Sequence, residues 1–178
     1  MEIKKIEKSQ WKEIKKIYKE AFPKNERKPF ASIKRSVKRG KSEILIALEN
    51  NIVAGFIMLT EYKDIVMIEY FAVSAEGRGK GVGSLMLDEI HARHKGKRTV
   101  LLIERLIQEA DNYSQRVARK SFYIRNEFEE TNIFIKDFGG GMEVLCRGGN
   151  ISGEEMIEVQ KYALGRLFFM LSRGKLID

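Results

Sequence analysis

A long apolar run that leads into a glycine-rich loop constrains the fold of this chain more than any other feature. Residues 43 to 73, EILIALENNIVAGFIMLTEYKDIVMIEYFAV, are dense in β-branched and aromatic residues and carry turn signals at residues 50–51 and 63–64. This pattern predicts three antiparallel strands joined by short turns. The loop EGRGKGVG follows at residues 76 to 83, and the sequence after it predicts a helix over residues 82 to 94. The last strand of this meander therefore runs into the start of a helix.

The remaining sequence predicts further strands and helices around the same sheet. Ser9 is the expected N-cap of the first helix, and Ser152 and Glu155 form a capping box at the start of the last one. The predicted strands cover residues 3–6, 99–105, 129–135 and 142–146, and the predicted helices cover residues 9–22, 30–39, 111–125 and 151–174. The order predicts an α/β (α+β) fold, one domain over residues 1 to 178. Its sheet is mixed, mostly antiparallel, with about six or seven strands, flanked by helices and followed by an extra C-terminal helix.

The composition is that of a globular protein. The chain has 178 residues, of which 43% are hydrophobic and 33% charged. No apolar run approaches the roughly 18 residues of a membrane span, and the N-terminus lacks the apolar block of a signal peptide. The single Cys146 cannot form an internal disulfide. We therefore expect a soluble, cytoplasmic protein without a membrane partner.

The net charge of +8 favours anionic partners. It does not choose between phosphate ligands, acidic substrates and nucleic acid. Because the basic residues are dispersed, with neither a nucleic-acid motif nor a basic tail, a nucleic-acid partner is not favoured.

The glycine loop is typical of an anion-binding site. Unpaired N–H groups at a helix N-terminus collect around an anion, and glycines let the backbone approach it closely. Two phosphate motifs do not fit: Lys80 and Ser84 are misplaced for a P-loop, and Met86 occupies the third glycine site of a dinucleotide fingerprint.

A different signature does fit the glycine loop. Arg78-x-x-Gly81-x-Gly83 matches the Arg/Gln-x-x-Gly-x-Gly/Ala pattern of the GNAT family of N-acetyltransferases.

The chain resembles this family over roughly residues 1 to 147, because three antiparallel strands precede the motif and a helix, a strand and a helix with SFYIRNEF follow it. The resemblance implies that acetyl-CoA is the donor, with its pyrophosphate on the loop and its pantetheine arm paired with the last strand beside a splayed sheet. The implied donor contacts are Phe71, Ala72, Val73, Arg78, Gly79, Lys80, Gly81, Val82, Gly83 and Ser84.

Two positions depart from the family's pattern. Arg116 stands where relatives often carry an Asn that bonds the pantetheine, and Asn112 lies one turn earlier. Arg116 and Arg119 are therefore expected to bind CoA phosphates or to line the acceptor site, while Asn112 is either a donor contact or a helix cap. Glu127 replaces the usual Gly, so Asn126 is expected to take the left-handed conformation that ends the helix.

The resemblance also implies the catalytic groups. Tyr123 matches the tyrosine that protonates the leaving thiolate, and a phenol can donate a proton at neutral pH. Glu69 is the first candidate base, expected on one face with Met67, Phe71 and Val73 unless a bulge intervenes. The alternatives are a core tyrosine at 123 and a structural glutamate at 69, paired to Lys or Arg or exposed at an edge.

Further charged residues are candidates for the acceptor site. Glu104 is a second candidate base, and Glu26 and Arg27 lie in the loop of the first helical hairpin, which usually forms the acceptor wall in this family. Ordinary loop charges are the alternative for the last two.

No metal is expected. His91 and His94 have the spacing of a metal pair, but a solvated helix end is favoured because no Cys or paired carboxylate is near in sequence. Cys146 is expected to be a buried apolar residue, since no His accompanies it.

The resemblance thus implies an acetyl-CoA-dependent N-acetyltransferase that transfers the acetyl group directly to a primary amine. A small amine, an amino acid, a polyamine, an antibiotic and a protein N-terminus stay open as acceptors, with a small molecule favoured over a protein. The alternative is a non-catalytic acyl-CoA-binding or regulatory module on the same fold. The apolar RLFFML at residues 166 to 171 is expected to pack on the sheet or to form a homodimer contact.

Overall fold

The structure is a computed structural model that describes residues 1–137, 140–165, 169–170 and 174–177. Its strands are β1 Glu2–Lys5, β2 Ser42–Glu49, β3 Ile52–Tyr62, β4 Ile65–Val73, β5 Arg98–Glu104, β6 Glu129–Asp137, β7 Gly140–Arg147 and β8 Lys175–Ile177. Its helices are α1 Trp11–Ala21, α2 Phe30–Lys38, α3 Val82–Arg93, α4 Tyr113–Arg125 and α5 Gly153–Leu164. Over these described ranges, eight strands form one sheet in the order β1-β2-β3-β4-β5-β7-β6-β8.

The predicted α/β class is confirmed, with one strand more than expected. The additional strand β8 has three residues and pairs antiparallel with β6, Leu176 opposite Ile135. A strand this short carries no alternating pattern that sequence inspection can detect. The helix that begins at Gly153 ends at Leu164, with Gly165 at its C-cap, and residues 169–170 are helical again. Most of RLFFML lies outside the described residues, and the expectation of one domain stays a prediction.

The chain forms two compact units, the first of which comprises Met1–Glu61 and Ile68–Lys95. In this unit β1 pairs antiparallel with β2, and β2 with β3, Leu45 opposite Ile57. The helix α1 buries one apolar face made of Ile14, Ile17 and Tyr18. The core cluster that contains this face also contains Ile33, Ile44, Ile46, Leu48, Val53, Phe56, Met58, Tyr70 and Ala72.

The start of α1 differs from the prediction that Ser9 caps it. Residues Lys8–Gln10 form a 3₁₀ turn, and Gln10 occupies the N-cap position of α1. The Gln10 side-chain oxygen accepts a hydrogen bond from the Glu7 N–H at 2.8 Å, in a reciprocal box with Glu7. This box orders the turn before the helix, so Ser9 lies inside the turn.

The second unit comprises Tyr62–Met67 and the chain from Gly96 onward. Here β5 pairs antiparallel with β7, Val100 opposite Cys146, and β7 pairs with β6. Cys146 is buried in the core of this unit, as predicted, and burial raises the pKa of its thiol to about 11. The cluster also contains Ile65, Met67, Val100, Ile135, Val144, Ile151, Met156, Val159 and Ala163.

The helix α5 begins at the predicted capping box. The Ser152 side chain accepts from the Glu155 N–H, and the Glu155 carboxylate accepts from the Ser152 N–H at 2.9 Å. Arg98 donates to both Glu155 oxygens, to Asp64 and to the Asn150 carbonyl. These hydrogen bonds from Arg98 hold the pKa of Glu155 down at about 2. The helix start is therefore tied to β5 by charge as well as by its cap.

In the described ranges of the chain, none of the helices combines the length and the apolar character that a membrane crossing requires.

We expect Glu155→Gln to destabilise the protein at neutral pH and to have less effect in acid. Gln can replace Glu in a capping box, so the variant removes only the charge that faces Arg98. The folded pKa of Glu155 is about 2, below its ordinary value of 4.5. The ion pair therefore stabilises the fold above the unfolded pKa, and this stabilisation is lost as the pH falls from 4.5 toward 2. Because the Glu155 side chain is 41% exposed, solvent screens the pair, and the expected loss at pH 7 is about 0.5–1 kcal/mol.

Thermal unfolding at about pH 7 and about pH 2.5 measures this difference. Glu158→Gln removes a single exposed pair with Lys63 and is the matched control, with a smaller expected loss at neutral pH. An effect of Glu155→Gln that is equal at both pH values contradicts the ion-pair explanation.

Candidate active site

The glycine loop connects the end of β4 to the start of α3 within the first unit. Ser74 caps a 3₁₀ turn at Ala75–Gly77 through a hydrogen bond from the Gly77 N–H to its hydroxyl, 3.2 Å. Gly79 and Gly81 have φ values of 74° and 77°, the left-handed region that glycine enters without steric cost. Gly81 is the N-cap of α3 and offers no side chain to cap the first N–H groups of the helix. This geometry is of the kind that suits an anion at a helix start.

Two glycines hold this loop close to the sheet. A Cβ on Gly77 would lie 2.8 Å from the Ala54 carbonyl oxygen, and one on Gly55 would lie 3.0 Å from that of Ala72. The Ser74 N–H also donates to the Ala54 carbonyl at 2.8 Å. Sequence analysis did not single out Gly55 and Gly77 for this role. The available signal was a glycine inside a strand, which often marks close backbone approach.

The predicted donor contacts lie on two parts of the first unit: the loop with the start of α3, residues 78–84, and the end of β4, residues 71–73. Val82 is buried and anchors α3 with Met86, Leu87 and Ile90. The other loop contacts, Arg78, Gly79, Lys80 and Gly81, are exposed, whereas Gly83 and Ser84 are half-buried. Arg78 Nε donates to the Val73 carbonyl at 3.4 Å, and Lys80 Nζ lies 3.4 Å from a Glu49 oxygen. On β4, Ala72 is buried and Phe71 and Val73 are half-buried. Arg78 is thus held near the β4 backbone that the donor is predicted to contact, whereas Lys80 is paired with Glu49 on β2.

We expect Gly77→Ala to destabilise the protein more than Gly79→Ala. The methyl group at 77 meets a backbone carbonyl in the sheet, so the loop must shift, at roughly 1–3 kcal/mol in addition to any backbone cost. At Gly79 nothing lies within 4 Å, so only the positive φ is penalised, by about 1–2 kcal/mol. Urea unfolding of the two single variants measures the difference. A smaller loss for Gly77→Ala than for Gly79→Ala contradicts the close approach.

Glu69 lies in a nearly closed polar pocket of the first unit. Its Oε1 accepts hydrogen bonds from Thr60 and from Ser42, the latter at 3.2 Å, and its Oε2 accepts from Lys28 Nζ. The Glu69 side chain is 3% exposed and that of Lys28 is 11% exposed. The alternative of a glutamate exposed at a sheet edge is therefore wrong, and the paired alternative describes the observed contact.

The predicted alternation along β4 is broken at Glu69. Tyr70 belongs to the core cluster with Ile14 and Tyr18, yet the carboxylate of its neighbour Glu69 also reaches Lys28, whose N–H donates to the Tyr70 hydroxyl. Neighbouring residues of a regular strand point to opposite faces. Such a local departure between Glu69 and Tyr70 is the exception that a bulge provides. Whether Glu69 shares a face with Met67, which packs in the core of the second unit, stays a prediction.

Two tyrosine hydroxyls fix the loop that carries Lys28. The Tyr70 hydroxyl donates to the Glu26 carbonyl and accepts from the Lys28 N–H, both at 3.1 Å. The Tyr18 hydroxyl donates to the Lys28 carbonyl at 3.1 Å. Burial raises the pKa of Tyr18, so its hydroxyl stays protonated. The backbone of residues 26 to 28 is thereby held beside β4.

The other charges near this loop are also partly buried. Arg27 Nε is buried and has no hydrogen-bond partner among the described residues. Burial lowers the pKa of Lys41, against the opposing charge of Glu69. Whether Glu26 and Arg27 contact an acceptor stays a prediction.

In the second unit, Tyr123 is buried on α4, with 8% of its surface exposed. Its ring packs against Phe122 and Phe128, at centroid distances of 5.2 and 5.5 Å. Burial raises the pKa of Tyr123 to about 12, against the opposing charge of Arg119. The hydroxyl is therefore protonated at neutral pH, as a proton donor requires.

Glu104 at the end of β5 is surrounded by cationic and amide donors. Asn112 Nδ2 donates to Glu104 Oε1 at 3.1 Å, Arg116 lies 3.0 Å from the same oxygen, and Arg119 donates to Oε2. Burial opposes ionisation, but the hydrogen bonds from Asn112 and Arg119 outweigh it and lower the pKa of Glu104. These contacts stabilise the ionised form of Glu104, and its role as a base stays a prediction.

The same network defines the positions of Asn112 and Arg116. Asn112 is at the N-cap position of α4 but makes no side-chain cap, because its amide bridges Glu104 and Arg116. Arg116 also donates to the Arg105 carbonyl at 2.7 Å. Direct contacts of Asn112, Arg116 and Arg119 with the donor stay predictions.

The end of α4 corrects the expectation for Asn126. Asn126 has φ −100°, and Glu127 itself takes the left-handed conformation with φ 64°. The Asn126 amide donates to the Phe122 carbonyl at 2.7 Å, and Glu127 pairs with Arg147. Asn126 therefore caps the last helical carbonyls with its side chain, and the residue after it makes the turn.

On α3, His94 is the C-cap and its Nδ1 lies 3.1 Å from a Glu61 oxygen. Within the described part of the chain, no group of three or more His, Cys, Asp or Glu side chains is arranged to hold a metal ion.

Comparison with protein families shows the class of this fold and site. Residues 40–130 match the acetyltransferase (GNAT) domain, just over half of the chain. The chain therefore belongs to the GNAT family. A comparison of the sequence with curated proteins finds no match.

Solved structures show the same fold. A protein from Bacteroides thetaiotaomicron, described as an acetyltransferase of the GNAT family, matches with TM-score 0.72 and 20% identity, over 94% of this chain and 98% of its own. An aminoglycoside 6'-N-acetyltransferase complexed with coenzyme A matches with TM-score 0.66 and 12% identity, over 83% and 96%. A Bacillus subtilis acetyltransferase in complex with CoA matches with TM-score 0.63 and 15% identity, over 82% and 96%. At these identities the likeness establishes the fold alone.

Proposed function

We propose that this protein is an acetyl-CoA-dependent N-acetyltransferase that transfers the acetyl group directly to a primary amine. One observation carries the proposal: the exposed, glycine-capped start of α3 follows β4 in a chain of the GNAT family. The described contacts do not identify the amine acceptor. A small molecule is favoured over a protein.

The donor site is proposed to lie on the first unit. The free N–H groups at the start of α3, together with Arg78 and Lys80, suit the pyrophosphate of CoA. The pantetheine arm would pair with the backbone of residues 71 to 73, as an added strand does. Two CoA-complexed acetyltransferases with the same fold support this choice of donor.

The acceptor amine is proposed to give its proton to Glu69. An ammonium at neutral pH is not a nucleophile, so a base must remove a proton before or during attack. The pocket around Glu69 already accommodates an ammonium group, that of Lys28. An external amine would therefore have to displace Lys28 from Glu69 Oε2.

Tyr123 is proposed as the general acid. In the proposed step, the amine nitrogen forms a bond to the thioester carbon, the C–S bond breaks, and the nitrogen releases its second proton to solvent. The thiolate takes a proton from the Tyr123 hydroxyl, giving the amide and the CoA thiol. With its pKa raised to about 12, Tyr123 holds this proton at neutral pH. Solvent reprotonates the phenolate after release of products.

One observation favours a second candidate function. Because Glu69 is already paired with Lys28, the chain could bind acyl-CoA without turnover, as a regulatory module. Acetyl-CoA binding measured by calorimetry and acetyl-CoA consumption measured over classes of amines separate the two candidates. Binding without thiol release for any amine class supports the module, and absence of binding contradicts both.

We expect the double variant Arg78→Ala, Lys80→Ala to bind acetyl-CoA about tenfold more weakly, because two charges near the pyrophosphate are lost. The control variant Lys16→Ala, Arg125→Ala removes the same net charge from exposed helix positions and should bind normally. Isothermal titration calorimetry at fixed salt measures both. Equal affinities for the two double variants contradict the donor site.

We expect Tyr123→Phe to lower kcat by roughly 100- to 10,000-fold, the usual contribution of a general acid, without changing the Kd of acetyl-CoA. Tyr162→Phe, at an exposed tyrosine of the same unit, is the matched control and should keep full activity. The assay uses the best amine of the consumption screen. With the pKa of Tyr123 near 12, wild-type activity should show no loss from ionisation of this group below about pH 10. If kcat is unchanged in Tyr123→Phe, Tyr123 is a core residue and not the general acid.

A further inference from the structure

The side-chain ammonium of Lys28 binds the carboxylate of Glu69, the residue proposed as the base. Glu69 Oε1 accepts from the hydroxyls of Thr60 and Ser42, whereas Oε2 accepts from Lys28 Nζ. Oε2 is therefore the atom that can accept a proton from an amine. In the resting protein, the amine at this atom is that of Lys28.

The surroundings of the Lys28 ammonium are those that recognise a cationic amine. Its Nζ contacts the carboxylate and lies 6.0 Å from the centroid of the Tyr70 ring. An anion and an aromatic ring together stabilise an ammonium group that has left water. With 11% of its side chain exposed, Lys28 is largely inside this pocket.

The position of Lys28 is determined by its backbone. The Tyr70 and Tyr18 hydroxyls bind its N–H and carbonyl groups, so the segment stays in place while the four-carbon side chain keeps its rotatable bonds. The ammonium can therefore turn away from Glu69 and return to it without unfolding the loop.

We propose that Lys28 is an internal acetyl acceptor, a site of self-acetylation. This inference rests on the proposed function, in which Glu69 is the base and acetyl-CoA the donor. Glu69 takes one proton from the Lys28 ammonium, and the neutral Nζ forms a bond to the thioester carbon. As the C–S bond breaks, the nitrogen loses its second proton and the thiolate takes up this proton, which gives the CoA thiol. The products are an N-acetylated Lys28 and free CoA.

Acetylation at this position changes the charge of the pocket. An acetylated lysine is neutral and cannot form the ion pair, so Glu69 Oε2 is left to an external amine. Self-acetylation thus removes the group that competes with the substrate for the base.

The test is incubation of the purified full chain with acetyl-CoA, followed over time by intact mass and peptide mapping. Lys12 and Lys19 are exposed on α1 and report background chemical acetylation. A paired, largely buried lysine reacts more slowly than exposed ones without catalysis. We expect initial acetylation at Lys28 to exceed that at Lys12 and Lys19 by about tenfold or more, and to fall roughly 100-fold in Glu69→Gln.

Lys28→Arg keeps a cation on Glu69 but removes the acceptor nitrogen, so its intact mass should stay at the background level. Circular dichroism and thermal unfolding establish that both variants are folded. Acetylation of Lys28 at or below the rate of Lys12 and Lys19 overturns the inference, and so does an unchanged rate in folded Glu69→Gln.

The failure of this inference is distinguishable from that of the proposed function. If acetyl-CoA binds and an amine of the screen is acetylated while Lys28 stays unmodified, self-acetylation alone is rejected. If calorimetry detects no acetyl-CoA binding, the proposed function fails first and the inference fails with it.

Discussion

The close approach of β3 to the loop after β4 is the constraint on which the donor side depends. The Ala54 carbonyl accepts the Ser74 N–H at 2.8 Å and leaves no space for a side chain at Gly77. This contact determines where the 3₁₀ turn begins and therefore where α3 can start. The positive φ values of Gly79 and Gly81 then turn the backbone so that the first N–H groups of the helix are uncapped. The anion site results from packing of main chain on main chain.

The proposed acceptor side depends on an ion pair that is almost removed from water. Moving a carboxylate and an ammonium out of water costs several kcal/mol per ion, which the pair recovers only with good geometry and further hydrogen bonds. Glu69 meets this condition through Thr60 and Ser42, and Lys28 is held through two tyrosines. Such an arrangement is costly for a purely structural role, because apolar residues of similar size often stabilise as well.

In the second unit, the candidate groups Tyr123 and Glu104 lie in environments that favour opposite protonation states. Burial among aromatic rings keeps Tyr123 protonated, whereas Asn112 and Arg119 keep Glu104 ionised. A group that holds its proton at neutral pH suits a donor, and a carboxylate already bound by cations suits positioning of the arginines. The environments thus distinguish the candidate general acid, Tyr123, from Glu104, the second candidate base.

The sequence by itself determined the order of strands and helices, the capping box at Ser152 and the glycine signature at residues 78 to 83. These features are local, since they depend on hydrophobic period and on backbone preferences of a few neighbouring residues. Only the tertiary structure decided the pairing of Glu69 with Lys28, because the partners are 41 residues apart. It also showed that β4 breaks its alternation between Glu69 and Tyr70. It also decided that Glu127 and not Asn126 turns left-handed and that Asn112 bridges rather than caps. In each case a long-range hydrogen bond or ion pair outweighed a weak local preference.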